Sequence, residues 1–548
     1  MTRINDSCPA SGKKYQRGNT KLQSGAFRMS EKAFDAVIIG TGLGGLTAAA
    51  LLAKAGREVC VIERNNSVGG AASVFKKGRL TIEPALHQTA DPHYPGDPKH
   101  AILKELGLLD EIEWIPISPF YSVKGGLIGA AFDLPVGFDA AHLALSKRFP
   151  KSAAGFAKLL GAMEHVVNGV GELTEAREEH SIGKLIRGLM ESRGLVHEWR
   201  ASAAEVLQRH LGDDEPAKFA VAANLGYYTD DPHHLAWPFF AVAQGGYLKA
   251  GGTFIKGGSR VLSMKLANAV MWQGGTVLLG REANGIDFDG SGHPVFVRHK
   301  DSRTKEDEQR VPATQVFANC APHVLAHMLP DAERAKIEQA YLGQPLSTSA
   351  YSAHFGLSVP PEKLGFDRYE VFVLQDGTTS FNQYGEDARM LASNPGNRLP
   401  GYSITNYGAI DSGLEGDGLV LVCVAGLDRF DNWAALAPED ERDRRERWLD
   451  AFQTAVDREY PGFSAAVVER MLLNARSMHN FMNTPSGAIT GFAPIPYEHS
   501  ILSGVPRSPK TPISGVYLAS SFAGAGGFSG AMMAGANAAR IAMKERTH

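Results

Sequence analysis

Cysteine is scarce in this chain. The four residues Cys8, Cys60, Cys320 and Cys423 stand far apart, with no C-x-x-C pair among them. That spacing argues against a disulfide framework and a cysteine-based metal site, so no metal is expected and a reducing compartment is the default. An excess of one charge is also missing. The 56 Lys+Arg and 59 Asp+Glu leave a net charge of −3, so no nucleic-acid partner is expected. No run of about 18 apolar residues occurs, and no membrane-spanning helix is predicted. What remains is 548 residues with 44% hydrophobic content, ample for a large core. The composition predicts an enzyme-sized cytoplasmic protein of three or four domain equivalents, or two large interleaved ones.

Glycine is the residue in surplus. The 60 glycines make up about 11% of the chain, against about 7% in ordinary proteins. They gather at Gly40–Gly45, Gly69–Gly70, Gly245–Gly258 and Gly524–Gly535. Residues 1–30 carry six basic side chains, one acid and several serines, without an apolar stretch. They read as a disordered leader rather than a secretory signal, and a transit-peptide reading is the weaker alternative.

The run Phe34-Asp35-Ala36-Val37-Ile38-Ile39 predicts a strand buried on both faces of a parallel sheet. Gly40-Thr41-Gly42-Leu43-Gly44-Gly45 follows, then a small-residue helix from Leu46 to Ala55 ending at Gly56, then a second strand, Glu58–Ile62, that stops at Glu63. This is the dinucleotide-binding context. Gly40 permits a tight turn, Gly42 lets a pyrophosphate approach the backbone, and Gly45 lets helix and strand pack closely. The phosphates would meet free N–H groups at the helix N-terminus, where its dipole favours negative charge, and Leu43 and Gly44 are counted among the cofactor contacts. Glu63 comes 18 positions after Gly45, placed to accept both ribose hydroxyls of an adenosine. Glu63-Arg64 and then Gly69-Gly70-Ala71 continue the pattern beyond the second strand. That spacing favours FAD over a simple NAD domain. No second G-x-G-x-x-G follows a strand, and Gly290-Ser291-Gly292 reads as a hairpin turn.

Farther along, helices are expected at Ala101–Leu109, through much of 138–220 including Ile182–Met190, at Pro438–Tyr460 and at Ser529–Ala542. Strands are expected within Phe120–Val136, at 294–300, 314–319, Tyr369–Leu374 and Gly418–Ala425.

Four separated stretches together resemble the FAD-dependent phytoene desaturase, carotenoid isomerase and retinol saturase group within the amine-oxidase-like flavoproteins. They are Val37–Ala71; Gly245–Gly252 with Gly274-Gly275 and Val277–Ile286; Val316–His323; and Thr511–Ala519 with Gly524–Gly530. The resemblance implies an α/β fold: a Rossmann-like, discontinuous FAD-binding domain with a parallel sheet, and an α+β substrate domain. The corresponding segments would be 31–125, 245–330 and 476–548 for FAD, and 126–244 with 331–475 for substrate. It also implies FAD contacts from Ala283, Ser521, Gly530, Ala531 and Met532, and places His87 and Tyr247 beside the flavin or substrate. Ala71 stands where relatives often carry Arg, and Ser521 where they often carry Asp or Glu.

The activity implied is hydride transfer at flavin N5 that adds, removes or rearranges a carbon–carbon double bond of a hydrophobic polyene or isoprenoid-like substrate. Electrons would pass to an acceptor such as oxygen or a quinone. Peripheral contact with a membrane and self-association stay open. The alternatives are a flavin amine oxidase and, from another class, a non-catalytic escort like the guanine-nucleotide dissociation inhibitors. His233-His234 carries no i, i+4 partner for a metal, and Ser520-Ser521 lacks the G-x-S-x-G of a nucleophile elbow.

Overall fold

The computed structural model describes residues 33–179, 198–498 and 507–545. The leader 1–30 and the helix expected at Ile182–Met190 lie outside the described residues.

The apolar, β-branched run Phe34–Ile39 forms the centre of a mixed seven-stranded sheet. Its last four residues, Ala36–Ile39, are buried, as a strand covered on both faces requires. Val59–Glu63 pairs with it on one side and Gln309–Ala318 on the other, both parallel. Thr276–Leu279 extends the sheet beyond Val59–Glu63, and Val516–Leu518 joins Gln309–Ala318, again in parallel. Segments from the beginning, the middle and the end of the chain therefore build one sheet. The first half of Gln309–Ala318 also pairs with Pro294–Asp301, which pairs with Arg281–Phe288, in an antiparallel extension. Gly290–Gly292 lies in the turn between those two strands, as expected.

Helix Leu43–Lys54 leaves the first strand at the glycine loop and is buried along nearly its whole length. It begins three residues earlier than the expected Leu46, because the glycines already have helical backbone. It ends at Gly56, whose φ of +81° is open to glycine without strain. The closing helix, Gly527–Lys544, crosses it at contact distance between main chains. A Cβ on Gly44 would stand 2.9 Å from the carbonyl oxygen of Ala531 and closer still to that of Ala519. A Cβ on Gly535 would run into the Gly44 carbonyl.

A second, seven-stranded sheet faces this unit. Its order is Val467–Leu473, Ser349–Leu357, Val420–Asp428, Tyr402–Asn406, Glu370–Leu374, Tyr121–Gly125, Gly129–Leu134. The pair Glu370–Leu374 and Tyr121–Gly125 is parallel and the rest antiparallel. The charged helix Pro438–Glu459 buries Trp448, Leu449, Phe452 and Val456, in one cluster with Val422 and Val424 of this sheet. Helices between residues 138 and 250 form a separate apolar cluster with Phe156, Phe219, Trp237 and Phe240 at its centre. Gly245 and Gly246 lie inside the helix Trp237–Ala250, so the third glycine cluster starts as helix and turns only at Gly251. The helix expected at Ala101–Leu109 spans Pro98–Leu106. It starts earlier because Asp97 caps it and stops at Gly107 in the left-handed region.

Gly535→Val should drive a side chain into backbone and destabilise the protein by about 3 kcal/mol, lowering the thermal midpoint by several degrees. Gly161→Ala is the control. A Cβ there meets nothing within 4 Å inside the helix Ala153–Glu179, so it should be neutral or stabilising by about 0.5–1 kcal/mol.

Candidate active site

The turn at Gly40, with φ of +96°, aims the following loop away from the sheet. Helix Leu43–Lys54 then begins with no side chain capping it, and Gly527–Lys544 begins in the same way. The first-turn N–H groups of both helices lack intrahelical acceptors. The two N-termini open onto one cavity of about 750 Å³. Two positive helix ends at a side-chain-free loop are the chemistry that a pyrophosphate-bearing group needs, so the residues present fit the FAD expected from the sequence.

Gly40, Gly42, Leu43, Gly44, Glu63, Arg64, Gly70, Ala71, Ala283, Ser521, Gly530, Ala531, His87 and Tyr247 all line this cavity. The fold brings them together from six parts of the chain. Two expected residues stay outside. Gly45 packs beneath the loop, where a Cβ would meet the Cβ of Asn319 at 2.8 Å. Met532 is fully buried in the core, and its neighbour Met533 reaches the cavity instead, because successive helical side chains point about 100° apart.

Three of the expected residues also have partners within the protein. A Cβ on Gly42 would stand 2.6 Å from the Asn319 side-chain nitrogen. The Asn319 amide would have to move to admit any side chain there. Glu63 accepts from the Thr41 N–H at 2.8 Å, the Thr41 hydroxyl at 2.6 Å and the Asn65 N–H at 2.8 Å. A carboxylate has about four lone-pair positions, and three of them are used by these bonds. Arg64 donates to the carbonyls of Asn480, at 2.8 Å, and Phe481. Its guanidinium caps the C-terminal end of helix Ala475–Met482 while the residue also lines the cavity.

Beyond the dinucleotide end the cavity continues among aromatic side chains, including Phe219, Tyr227, Tyr228, Phe239, Phe372 and Tyr402. Tyr247 closes one wall. Its hydroxyl donates to the Gln88 carbonyl at 3.1 Å and its ring stacks on Phe120 at 5.0 Å. Lys249 points outward to Glu164 at 3.3 Å. His87 pairs through Nδ1 with the Thr405 hydroxyl at 2.6 Å and stacks on Tyr227 at 5.7 Å. Burial pulls its imidazole down to about 4, so it is neutral at physiological pH.

Behind the wall lies Glu370, which sequence reading passed over. It accepts from the Gln88 amide and the Tyr227 hydroxyl, and burial lifts its carboxyl to about 7. The available signal was an acid heading the apolar strand Glu370–Leu374. Thr41, Asn319 and Tyr227 were also missed as site residues. Thr41 and Asn319 lay in plain view inside two of the glycine- and asparagine-bearing stretches, whereas nothing local marks Tyr227. Away from the site, His234 pairs with Asp231 at 2.7 Å, and among the described residues no cluster of His, Cys, Asp or Glu is arranged to hold a metal.

A family model described as flavin containing amine oxidoreductase matches residues 43–543. All-trans-retinol 13,14-reductase of Macaca fascicularis is 28% identical over 290 residues, covering 50% of this chain and 45% of that protein. The chain spans about half the length of the mammalian retinol reductases it matches. Prolycopene isomerase of Arabidopsis thaliana is 22% identical over 534 residues, covering 94% of this chain and 84% of that one. Cyclohexylamine oxidase from Brevibacterium oxydans superposes with a TM-score of 0.58 at 15% identity, covering 94% of this chain and 99% of the other. That likeness is one of fold.

Glu63→Lys should cut the flavin content of the purified protein on the order of tenfold or more, measured by visible absorption after desalting. Arg64→Ala should leave flavin content unchanged and destabilise the protein by about 1 kcal/mol, since its cation caps a helix. Equal flavin loss in both variants would overturn the separation of roles.

Proposed function

The chain belongs to the flavin containing amine oxidoreductase family, and from that premise we propose that it binds FAD and acts on a carbon–carbon double bond of a hydrophobic polyene or isoprenoid-like substrate. The observation that carries this reading is the single cavity running from the glycine loop to an aromatic chamber between the helices and the second sheet. Bound there, the flavin supplies a ring that exchanges a hydride with carbon.

The glycine loop, Glu63 and the two helix N-termini hold the dinucleotide. Ser521, Gly530 and Ala531 approach it from the tail. The aromatic side chains exclude water and hold an extended apolar substrate by contact area rather than by charge. Neutral His87 and the Tyr247 wall orient it.

The carboxylates at or behind the cavity support a neutral substrate over an amine. Asp97 is paired with the buried Lys99 at 2.9 Å, Asp387 with Arg398 at 2.7 Å, and Glu282 with Lys305. Glu370 is held by Tyr227 and Gln88. A protonated amine entering the chamber would find its potential counter-ions already engaged, at a desolvation cost. The retinol reductases and prolycopene isomerases among the relatives bear names for chemistry on conjugated isoprenoids, in keeping with this reading. Electrons then leave to an acceptor such as oxygen or a quinone.

No helix among the described residues is long and apolar enough to cross a membrane. Peripheral contact with lipid, through the helices around the chamber, is part of the proposal.

Anaerobic mixing of the holoprotein with a panel of polyenes, isoprenoid alkenes and amines tests the reading. A polyene or alkene should bleach the oxidised flavin, or restore the colour of photoreduced flavin, while amines leave it unchanged. Bleaching by amines alone would overturn the substrate class.

A further inference from the structure

We propose that Tyr227 and Glu370 form the proton-transfer pair of the chamber, with Tyr227 exchanging a proton with substrate carbon and Glu370 supplying or taking it from behind. This rests on the double-bond reading above and adds residues to it.

The geometry separates the two roles. Tyr227 lines the cavity and is half-buried. Glu370 is only 3% exposed and sits behind it on the second sheet, bonded to the Tyr227 hydroxyl and the Gln88 amide. Tyr227 also reaches the Ser403 hydroxyl at 3.2 Å, and its ring is held between His87 and Phe372. The phenol is thereby held with its hydroxyl on Glu370 and Ser403 in a residue that lines the chamber.

When Glu370 is ionised, the phenol O–H donates to it and its proton points away from substrate. When Glu370 is protonated, the carboxylic acid donates to the phenol oxygen, and the phenol proton is free to turn toward Ser403 or the chamber. The charge state of the buried acid thus decides which way the proton points.

The balance closes in both directions. In saturation, Tyr227 gives its proton to one alkene carbon, while a bound flavin kept reduced by a two-electron donor such as a quinol would supply a hydride to the other. The π bond breaks, two C–H bonds form, and Glu370 reprotonates the phenol. In desaturation the same bonds are remade in reverse, and the proton released from carbon ends on Glu370.

The groups facing Glu370 stay neutral near pH 7, which isolates its titration. Burial raises the hydroxyls of Tyr227, Tyr247 and Tyr369 well above their usual range. It raises Tyr228 and the Cys423 thiol as well, and His87 is lowered to about 4. Gln88, Ser403 and the strand-paired Thr405 carry no titrating group. Burial lifts Glu370 itself to about 7, so the proton-loaded pair dominates below that pH and the base form above it. Saturation should slow, and desaturation should quicken, as pH rises through about 7.

The test compares wild-type holoprotein with Tyr227→Phe, Glu370→Gln and Glu370→Asp, using all-trans-retinol and the alkenes that respond in the panel as probes. Tyr227→Phe should keep its flavin, thermal midpoint and KM within about threefold while kcat falls about 100-fold. Glu370→Gln should lower kcat about tenfold and flatten the pH profile, and Glu370→Asp should restore part of both. In the infrared, a protonated-carboxyl band should vanish between pH 5 and pH 8 in wild type. The difference spectrum against Glu370→Gln assigns it apart from Glu83, the other carboxyl raised to about 7.

Unchanged kcat in Tyr227→Phe, an effect confined to KM, or parallel loss of flavin and stability would overturn the pair. So would a Glu370 carboxylate that stays ionised from pH 5 to pH 8. Failure of every alkene to change the flavin would instead strike the double-bond reading, while the infrared assay still decides whether Glu370 holds a titrating proton.

Discussion

The site depends on one close approach, the crossing of helices Leu43–Lys54 and Gly527–Lys544 at Gly44 and Gly535. Two helices with ordinary side chains keep their axes about 8–10 Å apart, whereas here each glycine leaves room only for the other helix's main chain or its flanking loop. The approach is close enough for both N-termini to open on the same cavity. The sheet enforces it from the other side. Gln309–Ala318 pairs in parallel with both Phe34–Ile39 and Val516–Leu518, and the loops after all three strands reach the cavity. Ligands of open parallel sheets gather at the carboxyl ends of the strands, and this cavity begins there.

The second constraint is electrostatic. A chamber walled by aromatic rings is a poor medium for charge, so the carboxylates at or near its margin are matched to partners. Asp97 with Lys99 and Ser529 ties the loop before helix Pro98–Leu106 to the first turn of the tail helix. Asp387 binds Arg398 and the Gly401 N–H at 2.8 Å. Glu83, raised to about 7 by burial, receives the Ser259 N–H at 2.7 Å and hydroxyl at 3.0 Å at the head of helix Arg260–Trp272. These matched groups leave the chamber without net attraction for an ionic ligand. Glu370 differs from them in that its partners, Tyr227 and Gln88, are neutral and lie on the cavity wall, so its proton has somewhere to go.

Much of the dinucleotide end was legible from residues in order. Phe34–Ile39, the glycine loop and Glu63 are contiguous, and the physics that makes them a strand, a turn and a helix start acts over a few residues. Their departures from expectation share one origin. Arg64, read as a cofactor contact, also holds helix Ala475–Met482, more than 400 positions away. Gly42, read through its ligand, also packs closely against the Asn319 side chain. Met532 was placed at the site by position along the tail, and the rotation of the helix gave that place to Met533.

Local pattern determined the β-α-β unit, its turn glycines, the acid at the second strand's end and the flavin class, because each follows from backbone conformation and hydrophobic periodicity over short spans. Only the tertiary structure decided which remote glycines touch, which partners Glu63 already holds, and that Glu370 stands behind Tyr227 in the chamber wall. Those outcomes depend on burial and on partners brought together across hundreds of residues. Desolvation, which shifts His87 and Glu370 so far in opposite directions, acts on a side chain only once the fold has removed its water.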